Sequence, residues 1–167
     1  MTKAKEEALP ALRLGEWLPY RLSIIAGRVA RPLEAFYGER FRLSQGAWRV
    51  LAVAADRSGV NASEISRACE LDPFAVSRGI SQLVDLGFAE RSSAKADRRY
   101  ASVTITSAGK AAFDEIAAMA RVIEDDLLGP LAATERRLLS QAIASLEVVS
   151  ARIEAAGWHA LRERINP

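Results

Sequence analysis

The chain has 167 residues but only one cysteine and one histidine. A single cysteine excludes an internal disulfide and a cysteine-based zinc site, and a single histidine excludes motifs that need two, such as H-E-x-x-H. The sequence contains no run of 18 apolar residues, so no membrane-spanning helix is predicted. The first residues, MTKAKEE, lack the apolar core of a secretion signal. We therefore expect a cytoplasmic protein with no metal site, no cofactor and no membrane partner.

Charge and hydrophobicity are both close to the average. The 23 lysines and arginines nearly balance the 21 aspartates and glutamates, and 50% of the residues are hydrophobic. This composition is typical of a soluble globular protein, and the length suits one domain or a small domain with a long appendage. The net charge of +2 is too small to indicate a partner, so its distribution along the chain matters more.

Long helices are predicted at both ends of the chain. After a loose arm over residues 1–15, a helix is predicted from Glu16 to Arg40, and Thr106 and Thr134 are expected to cap two more. Each helix carries an apolar stripe whose spacing alternates between three and four residues. The stripes are Leu22, Ala26, Val29, Leu33 and Phe36; Phe113, Ile116, Ala120, Ile123 and Leu127; and Leu139, Ala142, Leu146, Val149 and Ile153.

A helix-turn-helix is predicted in the middle of the chain. Ser44 is a good N-cap for a helix over residues 45–55, and Asn61 with Glu64 has the spacing of a capping box. Asp72-Pro73 supplies an N-cap and an N1 proline for the next helix, which ends near Gly87. Only about three residues separate these last two helices, as in a helix-turn-helix.

A β-hairpin is predicted after this motif. Residues 88–91 and 100–105 have extended character, and the polar, basic residues 92–99 between them form a charged tip. The expected fold class is mainly α, a winged helix-turn-helix with long N- and C-terminal helices. We divide the chain into the arm 1–15, an N-terminal dimerisation helix 16–43, the winged helix 44–105, and C-terminal dimerisation helices 106–167.

Together the three apolar stripes have more apolar surface than one small domain can bury. A homodimer built from the first and last helices would cover them. The alternative is that these helices fold back on their own domain as additional core. We favour the homodimer, because a protein that reads two-fold symmetric DNA needs a symmetric spacer.

Two segments resemble the multiple antibiotic resistance regulator (MarR) family. Residues 71–91, LDPFAVSRGISQLVDLGFAER, look like its recognition helix and first wing strand. Residues 97–109, DRRYASVTITSAG, are similar to its wing signature, an Asp-x-Arg followed by a strand and a Thr-x-x-Gly helix start. The resemblance covers about residues 16–157. It implies a homodimeric transcription regulator of double-stranded DNA, here expected to repress from a palindromic operator, and often released by a small, frequently aromatic, effector.

The helix that follows Asp72 is the expected recognition helix. Short hydrogen-bonding side chains share one face with an arginine, which suits close approach to the major groove and a bidentate guanine contact. A plain solvated face is the alternative for this helix taken alone. The candidate DNA contacts on it are Phe74, Ala75, Ser77, Arg78, Ser81 and Gln82.

The hairpin tip supplies a second set of candidate contacts. A basic tip can enter the minor groove, although a solvated charged turn would have the same composition. The resemblance to the Asp-x-Arg signature implies that Arg99 enters the groove, that Asp97 orients a neighbouring arginine, and that Arg98 meets phosphate; Lys95 adds positive charge. Asn61 and Ser63 could bind a phosphate at a helix N-terminus, although capping alone explains Asn61.

Aromatic and basic residues of the first two helices are candidates for an effector site. The family resemblance implies a cleft between the dimer helices and the DNA-binding lobe. Ordinary packing explains the aromatic residues at least as well. The candidates are Trp17, Tyr20, Arg21, Arg28, Tyr37 and Trp48. Cys69 is expected to be a buried thiol rather than a redox sensor.

Two rival functions are less well supported by the sequence. An enzyme is disfavoured, because the sole cysteine and the sole histidine are 90 residues apart and no glycine-rich phosphate loop occurs. The other rival is a winged-helix adaptor that binds protein and not DNA. Ser77-Arg78 and Arg98-Arg99 argue against it, because such an adaptor would not need them.

Overall fold

The computed structural model describes residues 12–92 and 102–165 and has a mainly α-helical, winged-helix fold. A small three-stranded antiparallel sheet accompanies six helices in the described residues. The elements are α1 (Leu18–Phe41), α2 (Gln45–Asp56), β1 (Val60–Asn61), α3 (Ala62–Cys69), α4 (Pro73–Asp85), β2 (Ala89–Ser92), β3 (Ser102–Ile105), α5 (Ser107–Leu128) and α6 (Ala133–Glu163). The predicted fold class is confirmed.

The three helices of the central segment begin at the N-cap residues that the sequence predicts. The Ser44 hydroxyl accepts a hydrogen bond of 3.2 Å from the Ala47 amide at the start of α2. At α3, Asn61 accepts from the Glu64 amide at 3.0 Å, and Glu64 accepts from the Asn61 amide at 2.8 Å. Asp72 accepts from two amides of the first turn of α4, each at 2.9 Å. Each cap satisfies N–H groups that lack partners within the helix.

The junction between β3 and α5 explains the Thr-x-x-Gly pattern. The Thr106 hydroxyl accepts from the Gly109 amide at 3.0 Å and donates to the Gly87 carbonyl at 2.7 Å. A Cβ atom on Gly109 would lie 2.0 Å from the Phe88 carbonyl oxygen. Only glycine fits there, so this pair of residues ties the start of α5 to the end of the helix-turn-helix.

The predicted start of α6 is wrong. The helix begins at Ala133, so that Thr134 lies inside its first turn rather than at the N-cap. The Ala132 amide instead donates to the Glu135 carboxylate at 2.7 Å, which satisfies one N–H at this end without a hydroxyl cap. Gly157, with φ of 68° and ψ of 168°, interrupts the helical backbone near its end.

The sheet has the strand order β1-β3-β2. β2 and β3 pair antiparallel, from Ala89 opposite Ile105 to Ser92 opposite Ser102, and Val60 of β1 lies opposite Val103. The sequence did not indicate β1, because a two-residue strand is too short to show alternation. The facing hydroxyls of Ser92 and Ser102 are 2.7 Å apart and hold the strands together where the described part of the wing ends.

The buried core joins α2, α3 and α4 to the sheet and to the facing parts of α1 and α5. The fully buried side chains are aliphatic and include Leu51, Ile65, Val76, Ile80, Leu83, Val103 and Ile116. α2 and α4 approach closely at Gly79, where a Cβ would lie 2.9 Å from Val50 Cγ2 and 3.2 Å from the Gly46 carbonyl oxygen. The glycine therefore fixes how closely α4 packs on α2.

Apolar side chains remain exposed at both ends of the described chain. The N-terminal half of α1 exposes Leu18, Leu22 and Ile25, whereas its C-terminal half packs on the core through Leu33, Phe36 and Tyr37. None of the 31 residues of α6, all within the described part of the chain, is buried. The chain divides into two compact units, of which the first ends at Ile123 and the second begins at Glu124.

Candidate nucleic-acid interface

Helix α4, the predicted recognition helix, has one buried face and one exposed face. Val76, Gly79, Ile80 and Leu83 are buried against the core. The exposed face presents Phe74, Ser77, Arg78, Ser81 and Asp85. Ala75 lies between the two faces and is half-buried. The structure thus places four of the six predicted contacts of this helix together on one solvent-facing surface.

Arg78 is held against a neighbouring aromatic ring. Its guanidinium carbon lies over the Phe74 ring, 4.8 Å from the ring centroid. This cation–π contact joins two residues one helical turn apart on the exposed face of α4. The first turn of α4 rests on the Asp72 cap, so the backbone that carries both side chains is well fixed.

Gln82 is not part of the exposed face, contrary to its inclusion among the predicted DNA contacts. Its amide nitrogen donates to the Arg42 carbonyl at 2.7 Å, and its amide oxygen accepts from the Ser44 hydroxyl at 2.6 Å. The side chain therefore ties α4 to the α1–α2 junction, where Arg42 adopts a left-handed conformation with φ of 56°. With both ends of its amide bonded inside the protein, Gln82 has a structural role, and a DNA contact by this residue stays a prediction.

A shallow depression of about 280 Å³ lies between the start of α3 and the start of α4. Ser63 and Arg67 line it, together with Ala62, Ser66 and Pro73. The Ser66 hydroxyl donates to the Leu71 carbonyl at 2.6 Å and fixes the turn of the helix-turn-helix. Asn61 is occupied by the capping box, so Ser63 and Arg67 are the better candidates for a phosphate contact. Sequence reasoning missed Arg67, although its position four residues after Ser63 places both on one side of α3.

The predicted contacts at the wing tip lie outside the described residues. Lys95, Asp97, Arg98 and Arg99 belong to this group, and their roles stay predictions. Arg91, at the described base of the wing, is exposed.

The six effector candidates do not form one site. Tyr37 is buried and stacks on Trp48 with ring centroids 5.8 Å apart, and Trp48 stacks on Phe113 at 5.9 Å. Burial raises the pKa of Tyr37, the Glu34 carboxylate raises it further, and Arg49 partly opposes both. Tyr37 and Trp48 are therefore packing residues that join α1, α2 and α5, and their inclusion in an effector site is not supported.

The remaining effector candidates lie on the exposed N-terminal half of α1. Tyr20, Arg21 and Arg28 line an open depression of about 310 Å³ with Gly15, Ile24 and Ile25. Trp17 is exposed nearby in sequence but is not among the lining residues. The depression combines an aromatic ring and aliphatic side chains with two cations, a set that suits an amphipathic anion.

Cys69 packs at the edge of the core. It is half-buried, and its thiol donates to the Arg49 carbonyl at 3.3 Å. Burial raises the pKa of the thiol, while the Arg49 cation lowers it in part. Burial outweighs the arginine, so the thiol lacks the lowered pKa of a reactive cysteine.

Residues 12–92 and 102–165 contain no cluster of three or more histidine, cysteine, aspartate or glutamate side chains that could hold a metal ion. Over the same ranges, no helix has the length and apolar character needed to cross a membrane.

The sequence and fold were compared with known proteins. Residues 43–99 match the sequence profile of the MarR family. No curated protein sequence matches significantly. A MarR/EmrR family transcriptional regulator from Acinetobacter sp. ADP1 is 20% identical, with a TM-score of 0.73 over 85% of this chain and 100% of that one. A MarR family regulator from Silicibacter pomeroyi is 23% identical, with a TM-score of 0.72 over 87% and 96%.

A third structural match was solved with a bound ligand. CouR from Rhodococcus jostii RHA1, bound to p-coumaroyl-CoA, is 20% identical, with a TM-score of 0.69 over 81% of this chain and 95% of that one.

Proposed function

We propose that this winged-helix protein of the MarR family is a transcription regulator rather than an enzyme, and that it binds double-stranded DNA as a homodimer. It represses from a palindromic operator in the cytoplasm. The observation that carries the proposal is the exposed face of α4, where Arg78 stands among short polar side chains on a helix anchored by a buried opposite face. A helix of this kind suits insertion into the major groove.

In the proposed complex, α4 contacts the bases and the start of α3 contacts the phosphate backbone. Arg78 binds guanine through O6 and N7, with Ser77 and Ser81 allowing close approach. Ser63 and Arg67 bind a backbone phosphate beside the start of α3, and the helix dipole favours the anion there. The wing arginines Arg98 and Arg99 add a phosphate and a minor-groove contact respectively, as the resemblance to the family signature implies.

The homodimer is supported by the exposed apolar side chains of α6. Leu139, Ile143, Leu146, Val149 and Ile153 follow one another at spacings of three or four residues, and each is between 39% and 49% exposed. A stripe of this kind needs a partner to leave water. A second copy with the same stripe would supply one and would set two recognition helices at a fixed separation, which matches a palindromic operator.

Release by a small aromatic ligand is the regulatory part of the proposal. The depression lined by Tyr20, Arg21 and Arg28 offers a ring and two cations to an aromatic carboxylate. The bound p-coumaroyl-CoA of CouR, a protein of the same fold, is an aromatic acyl compound. Hydroxycinnamic and hydroxybenzoic acids should weaken DNA binding, and Arg28→Ala should reduce their effect without changing affinity for DNA alone. Arg31→Ala, an exposed arginine on the same helix, is the matched control.

Selection of bound fragments from random DNA tests the function. A palindromic consensus is expected, and affinity for it should fall steeply with salt as counterions are released. Arg78→Ala should lose about 1–3 kcal/mol and relax the preference at one base pair per half-site. Arg67→Ala should weaken all sequences alike and lower the salt slope by about one for each phosphate that the variant no longer binds.

Arg121→Ala is the matched control for both substitutions, since Arg121 is exposed on α5 outside the proposed interface. It should leave affinity and salt slope unchanged. Affinity that does not vary with salt, or the absence of any selected sequence, would favour the protein-binding adaptor instead.

A further inference from the structure

Phe74 is unusual for a residue on the exposed face of a helix. Its side chain is 69% exposed, although phenylalanine is among the residues most often buried. It lies one turn before Arg78, whose guanidinium carbon is 4.8 Å from the centroid of its ring. The separation is within the range over which a ring face attracts an arginine cation.

We propose that Phe74 and Arg78 read a base-pair step together: Arg78 binds a guanine, and the Phe74 ring contacts the C5 methyl group of a thymine in the adjacent base pair. This inference rests on the proposed function, because it names the DNA chemistry that the same helix face recognises. It makes Phe74 a specificity-determining residue and not only a support for Arg78.

The position of the ring follows from the way in which arginine binds guanine. A bidentate contact to O6 and N7 keeps the guanidinium near the plane of the base. In the proposed complex the Phe74 ring stacks on one face of the guanidinium and therefore lies above or below that plane. Since successive base pairs are about 3.4 Å apart, this is the level of a neighbouring pair. The apolar group presented there in the major groove is the thymine methyl, which phenylalanine is known to contact.

The same contact prepares Arg78 for binding. A long side chain loses rotamer freedom when it is immobilised at an interface, and a contact made beforehand reduces that loss. The Arg78 guanidinium carbon lies over the face of the ring, and in the proposed complex the guanidinium stacks on that face with the N–H groups of its edge donating to guanine. Removal of the ring should therefore weaken the guanine contact as well as the methyl contact.

Fluorescence anisotropy with the full chain tests the pair, and the duplex selected from random DNA is the probe. Each guanine of the duplex is first replaced by 7-deazaguanine, which lacks the N7 acceptor. The guanine bound by Arg78 is the one whose replacement weakens DNA binding by the wild type but not by Arg78→Ala. Each neighbouring thymine is then replaced by uracil, which removes only the methyl group. We expect the wild type to bind about fourfold more weakly per half-site, the loss for one methyl group withdrawn from an apolar contact.

Variants of Phe74 separate a reading role from a structural one. Phe74→Ala should bind more weakly than the wild type and should no longer distinguish thymine from uracil. Phe74→Tyr keeps the ring and should retain the difference. Val84→Ala removes another exposed apolar side chain of α4 and should also retain it. Because Phe74 is exposed, the thermal unfolding of these variants should match that of the wild type.

The inference would be overturned by a selected site that has no thymine beside that guanine. It would also be overturned if the wild type bound thymine and uracil duplexes equally well at both neighbouring positions, or if Phe74→Ala kept the full preference for thymine over uracil. In each case, salt-dependent and sequence-selective binding would leave the proposed DNA-binding function intact. If no sequence were selected at all, both the inference and the proposed function would be wrong.

Discussion

The winged-helix segment and the last helix differ in what surrounds their apolar side chains. The hydrophobic residues buried in the described chain all lie between Tyr37 and Ile116, where α2, α3, α4 and the sheet pack on one another. α6 is the longest helix described. Its apolar stripe is at least 39% exposed at each position: Leu139, Ile143, Leu146, Val149 and Ile153. The apolar side chains of the first region are buried against one another, whereas those of α6 are exposed in the described chain. This contrast predicts different responses to mutation.

The largest expected effect is on the stability of the core. Leu83→Ala removes a fully buried side chain of α4 and should lower the free energy of unfolding by about 2–5 kcal/mol, through reduced burial and a residual cavity. The matched change Leu138→Ala, at a site 58% exposed on α6, should change it by less than about 0.5 kcal/mol. Urea unfolding at one protein concentration measures both. Equal losses would show that α6 packs into a core of its own chain.

The next effect is on assembly. Leu146→Glu places a charge in the middle of the α6 stripe and should yield a monomer by light scattering. Its DNA affinity should fall about 100-fold, because the two half-sites are no longer bound through one linked dimer. Val148→Glu, 63% exposed and off the stripe, should remain dimeric. A Leu146→Glu protein that is dimeric and binds DNA normally would remove the support for this interface.

A smaller effect is expected at the hydrogen bonds by which Gln82 ties α4 to the α1–α2 junction. In Gln82→Glu the carboxylate would face the Arg42 carbonyl, which now accepts a hydrogen bond of 2.7 Å, and unfolding free energy should fall by about 1–3 kcal/mol at neutral pH. Protonated glutamic acid can donate to that carbonyl and accept from Ser44. The loss should therefore shrink as the pH falls towards about 5.

Gln82→Met is the control for this pH dependence. It has nearly the same length but no titratable group, so its loss of stability should not vary with pH. If the loss of unfolding free energy varied with pH in the same way in Gln82→Glu and Gln82→Met, protonation at position 82 would not be its cause.

The smallest effect concerns the thiol of Cys69 at the edge of the core. Burial raises its pKa in the folded state, so the folded protein holds this proton more firmly than the unfolded chain does. The associated stability is present below the unfolded pKa and is lost as the pH rises through the folded value. Iodoacetamide should alkylate the native protein several times more slowly than the urea-unfolded chain at about pH 8. Equal rates would indicate a reactive, exposed thiol.

The sequence predicted those features that depend on neighbours along the chain. The caps formed by Ser44, Asn61 and Asp72 are confirmed, because each joins a side chain to an amide two or three residues away. Thr134 shows the limit of this reasoning: the helix starts earlier, with Glu135 satisfying an amide instead of a hydroxyl cap. Composition alone does not distinguish these two arrangements.

Features set by distant neighbours were missed or misassigned. Gln82 shares a helix face with polar DNA candidates, but its hydrogen-bonding partners are 38 and 40 residues away in sequence. Tyr37 and Trp48 were predicted to line an effector site, and the structure shows Tyr37 stacked on Trp48 and Trp48 stacked on Phe113, contacts that the sequence did not indicate. The need for glycine arises at position 79 from the Val50 side chain and the Gly46 backbone, and at position 109 from the Phe88 backbone. Periodicity within one helix carries no information about such contacts.

The close approach at Gly79 has a consequence for redesign of the DNA specificity that we propose for α4. Val50 Cγ2 and the Gly46 backbone leave no room for a larger residue there, so α4 cannot rotate or move outward without loss of packing. Altered specificity must therefore come from exchange of the side chains that α4 already displays. A library that varies positions 74, 77, 78 and 81 while keeping Gly46 and Gly79 constant would explore new operators on an unchanged scaffold.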